Sequence, residues 1–259
     1  MEGEVASPGL ELAWRAEQAL NNAWPSLDDV RAGDWSARFG AGLTRRNNSA
    51  NPRRADARLG EADILACEAA FDRWGLRRTF RLPSFLAPEI DWTLERAGYA
   101  REGETVTLFA PIDRLPDESD ARTKIDPVPA AAWLSAKAAF SGLTAAESAI
   151  WSKVAARLVV PTGFAGLSED GALASVAYGA IDDGLLCIEA VVTDPNRRGR
   201  GLGRGMLASL IAWGRDLGAM GACLQVQADN SAALALYASL GIGSELYRYH
   251  YRRAPAALH

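Results

Sequence analysis

Between Ile188 and Met206 an apolar, β-branched run gives way to a loop in which glycine alternates with arginine, and the loop opens a helix. Ile188, Val191, Val192 and Thr193 read as the end of a strand. Gly199, Gly201, Gly203 and Gly205 are interleaved with Arg197, Arg198, Arg200 and Arg204. Beyond them Leu207, Leu210, Ile211 and Leu217 fall on one helical face. Glycine lets backbone N–H groups approach an anion without a Cβ in the way. The free N–H groups and dipole of a helix N-terminus favour negative charge, and arginine adds forked phosphate contacts. A strand, loop and helix of this composition predict a pyrophosphate cradle.

Two common phosphate loops do not fit. The Gly-x-x-x-x-Gly-Lys-Ser/Thr pattern lacks its lysine. The dinucleotide pattern Gly-x-Gly-x-x-Gly meets Arg204 at its third glycine in one register and Met206 in the other. The pattern that fits is Arg/Gln-x-x-Gly-x-Gly, at Arg198, Gly201 and Gly203.

Further patterns place this segment. Acidic turns at 168–171 and 182–184 separate three strand-like runs, 163–167, 172–181 and 185–193. Helical spacing covers 130–140 and 144–158 before them. After the loop come a helix at 204–217, a strand at 222–227, a helix at 231–240 and a last strand at 246–252. Asn230 is a candidate N-cap and Gly241 a C-terminal stop. Residues 114–129 are charged, hold three prolines and lack apolar periodicity, so they read as a connector. Ahead of them lie a helix at 10–20, short strands and turns at 30–44, a helix at 61–74, a strand at 77–82, a helix at 88–97 and a strand at 105–112.

Composition limits the partners. The 259 residues are 49% hydrophobic and 23% charged, with a net charge of −4. That balance suits a globular chain with a core in each half and argues against nucleic acid as the main partner. Cys67, Cys187 and Cys223 are widely spaced and form neither a disulfide framework nor a metal site. They read as small buried apolar groups, and no metal is expected. The acidic start from Met1 has no apolar core of a secretion signal, and no apolar run reaches membrane-spanning length. The expected location is a reducing cytoplasm.

With its two motifs in order, the second half resembles the GNAT superfamily of acetyltransferases. The first is the arginine–glycine loop. The second is Asn230, Ala233, Leu236, Tyr237 and Gly241, with Ile242 where the family carries phenylalanine. The resemblance covers roughly residues 125–252. It implies a mixed, mostly antiparallel twisted sheet flanked by helices. It also implies direct transfer of the acetyl group of acetyl-CoA to an amine, with both bound together. By the same resemblance Arg198, Gly199, Arg200, Gly201, Leu202, Gly203 and Arg204 hold the pyrophosphate. Val191, Val192 and Thr193 pair their backbone with the pantetheine arm. Tyr237 protonates the departing thiolate. Glu189 is the base for the incoming amine, directly or through water, with a solvated strand carboxylate as the other reading. Asn230 contacts the cofactor, caps its helix, or both.

The first half carries no such loop. Residues 92–112 nonetheless loosely resemble the helix, glycine and strand that close a GNAT domain. The expectation is therefore two tandem GNAT-like domains: a degenerate copy at 1–113, a connector at 114–129, and an acetyl-CoA-binding domain at 130–259. Tyr247, Tyr249 and Tyr251 should share one face of the last strand, lining an acceptor pocket or, alternatively, packing on the sheet or at a domain interface, with Arg248, His250 and Arg252 opposite. The polar, basic segment 44–52 either meets the acceptor in the cleft between the halves or is a solvated loop. The alternative function is a non-catalytic acyl-CoA-binding or sensing module, which would need no proton donor at Tyr237.

Overall fold

The computed structural model describes residues 8–255. Its first half runs α1 (Pro8–Ala23), β1 (Asp28–Ala32), β2 (Trp35–Phe39), β3 (Ala50–Pro52), α2 (Glu61–Arg73), β4 (Thr79–Pro83), α3 (Pro88–Arg96) and β5 (Ala100–Pro111). The second runs β6 (Thr123–Asp126), α4 (Ala131–Ser141), α5 (Ala145–Ala155), β7 (Thr162–Glu169), β8 (Ala172–Asp182), β9 (Leu185–Thr193), α6 (Leu202–Asp216), β10 (Gly221–Gln227), α7 (Ser231–Ser239) and β11 (Ser244–Arg253). Local chemistry sets many of these boundaries. The turns between β7 and β8 and between β8 and β9 each place an aspartate and a glycine at positive φ, Asp170–Gly171 and Asp183–Gly184, as two-residue hairpins require. Thr144 and Glu147 cap α5 reciprocally, with Thr144 Oγ1 accepting from Glu147 N and Glu147 Oε2 from Thr144 N. Gly142, at φ 64°, stops α4.

The eleven strands of the described residues join one sheet in the order β1-β2-β3-β4-β11-β5-β10-β9-β8-β7-β6. Neighbours are antiparallel except β3–β4 and β9–β10, which are parallel. The centre of this order is an exchange. β11, the last strand of the chain, pairs with β4 and β5 of the first half. β5, the last strand of the first half, pairs with β10 of the second. The two halves thus interleave. The connector also contributes, because its residues 123–126 form β6 at the sheet edge against β7.

Three apolar clusters flank the sheet. One packs α6 and α7 residues such as Met206, Leu210 and Tyr237 against β5 and β7–β10. A second joins Leu20 and Trp24 to Trp133, Trp151, Phe164 and the three tyrosines of β11, so the first helix of the chain packs on strands of the second half. A third holds the first half, around Trp35, Phe39, Phe71 and Phe80. Cys67, Cys187 and Cys223 are all buried and free.

One fully buried ion pair ties these parts together. Glu17 on α1 bonds Arg81 on β4, and both side chains are wholly inaccessible. Tyr247 Oη donates to Glu17 Oε2 at 2.6 Å, and the Arg81 guanidinium lies 3.7 Å from the centre of the Tyr249 ring. A charged pair taken from water needs every such partner to offset its lost hydration. The tyrosine face of β11 is therefore part of the junction between the halves.

Candidate active site

The arginine–glycine loop lies between β9 and α6, as the sequence predicts, with α6 starting two residues earlier than expected. Gly199 and Gly201 take φ 75° and 74°, and a Cβ on either would meet open space. Gly201 caps α6 without a side-chain bond. The first bond of the helix runs from Gly205 N to Gly201 O. The amides of Leu202, Gly203 and Arg204 therefore have no acceptor among the described residues. At Gly203 a Cβ would stand 3.2 Å from Thr193 Oγ1 and 3.6 Å from Leu236, so glycine there lets α6 sit close to β9. Three of the arginines are already engaged. Arg197 and Arg200 turn to Glu169 on β7, and Arg204 to Glu118. Arg198 is exposed and has no ion pair among the described residues.

β9 has one edge that is only partly paired. It pairs with β10 only at Leu185, Leu186 and Cys187, and beyond Cys187 the two parallel strands part. Residues 188–193, including Val191, Val192 and Thr193, keep β8 on one side and have no strand on the other. Opposite Ala177 the register slips by one residue, and Ala190 takes φ 58°. A left-handed alanine costs roughly 1–2 kcal/mol, and such a bulge re-aims the backbone. This strained point lies within the open edge.

Tyr237 lies on α7 and Asn230 just before it. Asn230 Oδ1 accepts from Ala233 N at 3.1 Å, an N-cap. Tyr237 is buried, yet its hydroxyl has no hydrogen-bond partner among the described residues. Burial, with Glu189 adding to it, pushes the phenol up to about 12, so it keeps its proton at neutral pH. That meets the requirement for a hydrogen-bond or proton donor.

Beside the bulge lies a cleft of about 380 Å³ between the halves, walled by Trp24, Trp151, Tyr249 and Tyr251. Thr44, Arg45 and Arg46 form one rim, so the start of the 44–52 segment does reach the cleft. The rest of that segment is not a solvated loop: Asn47 to Asn51 are buried and lead into β3. Asn48 Oδ1 accepts from Gly40 N and Gly42 N at 2.9 Å each, which fixes the rim. Arg46 crosses to β9, where its Nη2 lies 2.7 Å from Glu189 Oε2; its Nη1 donates to Gln225 Oε1 at 2.8 Å. Glu189 is buried, and its second oxygen, Oε1, has no hydrogen-bond partner among the described residues. Residue-level reading of the sequence missed Arg46 and a second cation on the cleft, Lys137. Lys137 had a legible signal, being the only charged residue in α4. Arg46 had none beyond its basic segment.

A family model described as "Probable histone acetyltransferase Rv0428c C-terminal" matches residues 13–253. The chain belongs to this family. It is 24% identical over 243 residues to the uncharacterized N-acetyltransferase YobR of Bacillus subtilis, covering 92% of this chain and 97% of that one. Its fold is that of a GCN5-related N-acetyltransferase from Kribbella flavida, with a TM-score of 0.69, 19% identity and 98% of each chain covered. A tandem GNAT protein from the clavulanic acid biosynthesis pathway gives a TM-score of 0.64 at 13% identity, over 94% of this chain and 89% of that one. The GNAT likeness thus spans the whole chain, first half included. Among the described residues no helix is long and apolar enough to cross a membrane, and no cluster of three or more histidine, cysteine or acidic side chains is placed to hold a metal.

Proposed function

We propose that this protein transfers the acetyl group of acetyl-CoA to a primary amine, with both bound at once. One observation carries the reading: three unpaired amides at the head of α6 lie next to the strand-free edge of β9. Bound acetyl-CoA supplies the thioester whose acetyl group moves. The amides of Leu202, Gly203 and Arg204 and the Gly199–Gly201 backbone hold its pyrophosphate, with Arg198 as the uncommitted guanidinium. Arg200 contributes backbone, since its side chain is engaged by Glu169. Val191, Val192 and Thr193 pair with the pantetheine arm, and Asn230, besides capping α7, borders it. A backbone amide at the Ala190 bulge polarises the reacting carbonyl. Glu189 Oε1 receives the amine and takes its proton, directly or through water, while Arg46 fixes Oε2. Tyr237 Oη donates to the departing sulfur.

The first half, 1–113, is on this reading a copy of the same unit that has lost its cradle. Its strand–helix–strand order, its parallel β3–β4 pair and its exchanged last strand match those of 130–259. At its helix head the anion position is filled from within: Gly60 N donates to Asp63 Oδ2 at 2.9 Å, and Glu61 adds a second carboxylate. Phosphate there would meet two negative charges.

Calorimetry with acetyl-CoA tests the reading, using the wild type and Gly201→Glu. Micromolar binding lost in a folded variant is expected, followed by thiol release on an amine panel. A folded wild type that does not bind acetyl-CoA overturns the reading.

A further inference from the structure

The charges on the cleft do not cancel, and the remainder has a shape. Three cations line it, Arg45, Arg46 and Lys137, against two carboxylates, Glu147 and Glu189. Arg46 is committed to Glu189 and Gln225. Arg45 lies over the Tyr251 ring at 5.0 Å and faces Glu102. Glu147 is committed to the cap of α5. Two groups remain. Lys137, half-buried on α4, makes one hydrogen bond, to Ser141 Oγ at 2.7 Å, and has no ion pair among the described residues. Glu189 Oε1 is buried without a donor among the described residues.

We propose that the acceptor is a free amino acid with an apolar side chain, its ammonium at Glu189 Oε1, its carboxylate at Lys137 and its side chain against the Trp24, Trp151, Tyr249 and Tyr251 wall. This rests on the acetyltransferase reading above and names its acceptor. A half-buried cation without an ion pair and a buried carboxylate oxygen without a donor both gain from a partner of opposite charge. A zwitterion satisfies both at once, whereas a simple amine satisfies only the second. Burial pulls the Lys137 ammonium down to about 8, with Glu189 partly restoring it. A carboxylate partner would lift it again. A cleft of about 380 Å³ holds a molecule of amino-acid size. The reaction balances: one ammonium proton leaves towards Glu189, the freed amine nitrogen forms the amide bond as the thioester carbon–sulfur bond breaks, and the second proton lost from nitrogen balances the one that Tyr237 delivers to the departing sulfur.

Thiol release by the full-length protein at saturating acetyl-CoA tests the proposal. The acceptors are phenylalanine, methionine and leucine, each beside its decarboxylated amine and its carboxamide. The acids are expected to lead by about 10- to 150-fold in kcat/KM, mainly through KM, the range for one charge-assisted contact. Lys137→Met should collapse that lead towards unity, Lys137→Arg should keep most of it, and neither should move the acetyl-CoA Kd measured by calorimetry. Carboxamides as good as acids in the wild type would overturn the proposal in favour of a peptide or protein amine. So would a lead that survives in Lys137→Met. Acetyl-CoA binding with no turnover or binding of any acid overturns it too, while leaving the acetyltransferase reading standing. Absence of acetyl-CoA binding removes that reading itself. Should Lys137→Met fail to fold, the wild-type ratio of acid to carboxamide decides alone.

Discussion

Arg46 Nη2 lies 2.7 Å from Glu189 Oε2, and the two residues stand 143 positions apart in the chain. A residue of the first half thus orients a carboxylate of the second half that lines the cleft. Arg46→Met should leave Glu189 buried and uncompensated, at a cost of about 2–4 kcal/mol in urea unfolding. Arg46→Met with Glu189→Gln should recover most of that stability without recovering turnover. Full stability in the single variant would mean the pair does not hold the halves together.

Tyr237 separates chemistry from packing. Its hydroxyl has no protein partner among the described residues, so Tyr237→Phe should shift Tm by little. If the phenol donates to the leaving sulfur, kcat should fall by about 10²-fold or more, with the acetyl-CoA Kd unchanged. An unchanged kcat would remove Tyr237 from the chemical step.

Asp91 gives a pH test of stability. The Arg252 hydrogen bond, opposed by burial and reinforced by His250, holds its carboxyl down at about 2. Both Arg252 Nε and His250 Nε2 lie 2.7 Å from Asp91 Oδ1. A depressed carboxylate stabilises the fold above its unfolded value and loses that contribution as pH falls towards the folded one. The wild type should exceed Asp91→Asn by about 2 kcal/mol at pH 7. The gap should narrow from pH 4 towards pH 2 in urea titrations. A gap independent of pH would mean the contribution is steric.

Lys137 gives a pH test of binding. With the ammonium pulled to about 8, its charge fades as pH rises through 8. The KM for amino-acid acceptors should therefore climb above pH 8 in the wild type and stay flatter in Lys137→Arg. Ionisation of the acceptor amine is common to both proteins and cancels in the comparison. The other charges on the cleft, Arg45, Arg46, Glu147 and Glu189, are also common to both. Parallel profiles would separate Lys137 from the acceptor.

The local units were legible in the sequence where one segment carries its own instructions. The run from β9 through α7 shows strand, glycine loop and helix periods in order, and the Asp–Gly turns announce their hairpins. What was not legible depends on partners far along the chain. β3 is three residues, Ala50, Asn51 and Pro52, with none of the branched side chains that favour strands. β6 lies in a charged connector and exists because β7 offers an edge. Glu17 could have drawn notice, since it shares the helical face of Ala13, Ala16 and Leu20, yet only the fold brings Arg81 to it. The Arg46–Glu189 pair is likewise a product of the assembled sheet, which no period in the sequence encodes.

The exchange of β5 and β11 also sets an order of assembly. Until β11 is made, β4 has only a single-residue pairing with β3, and the place beside β5 stays open. Arg77 Nε bonds Ala254 O, 177 residues later. The chain as far as Ala254 must therefore leave the ribosome before the first half can close. Contacts this distant predict slow, late folding. During synthesis the nascent chain would expose strand edges that chaperones, or a second nascent chain, could capture.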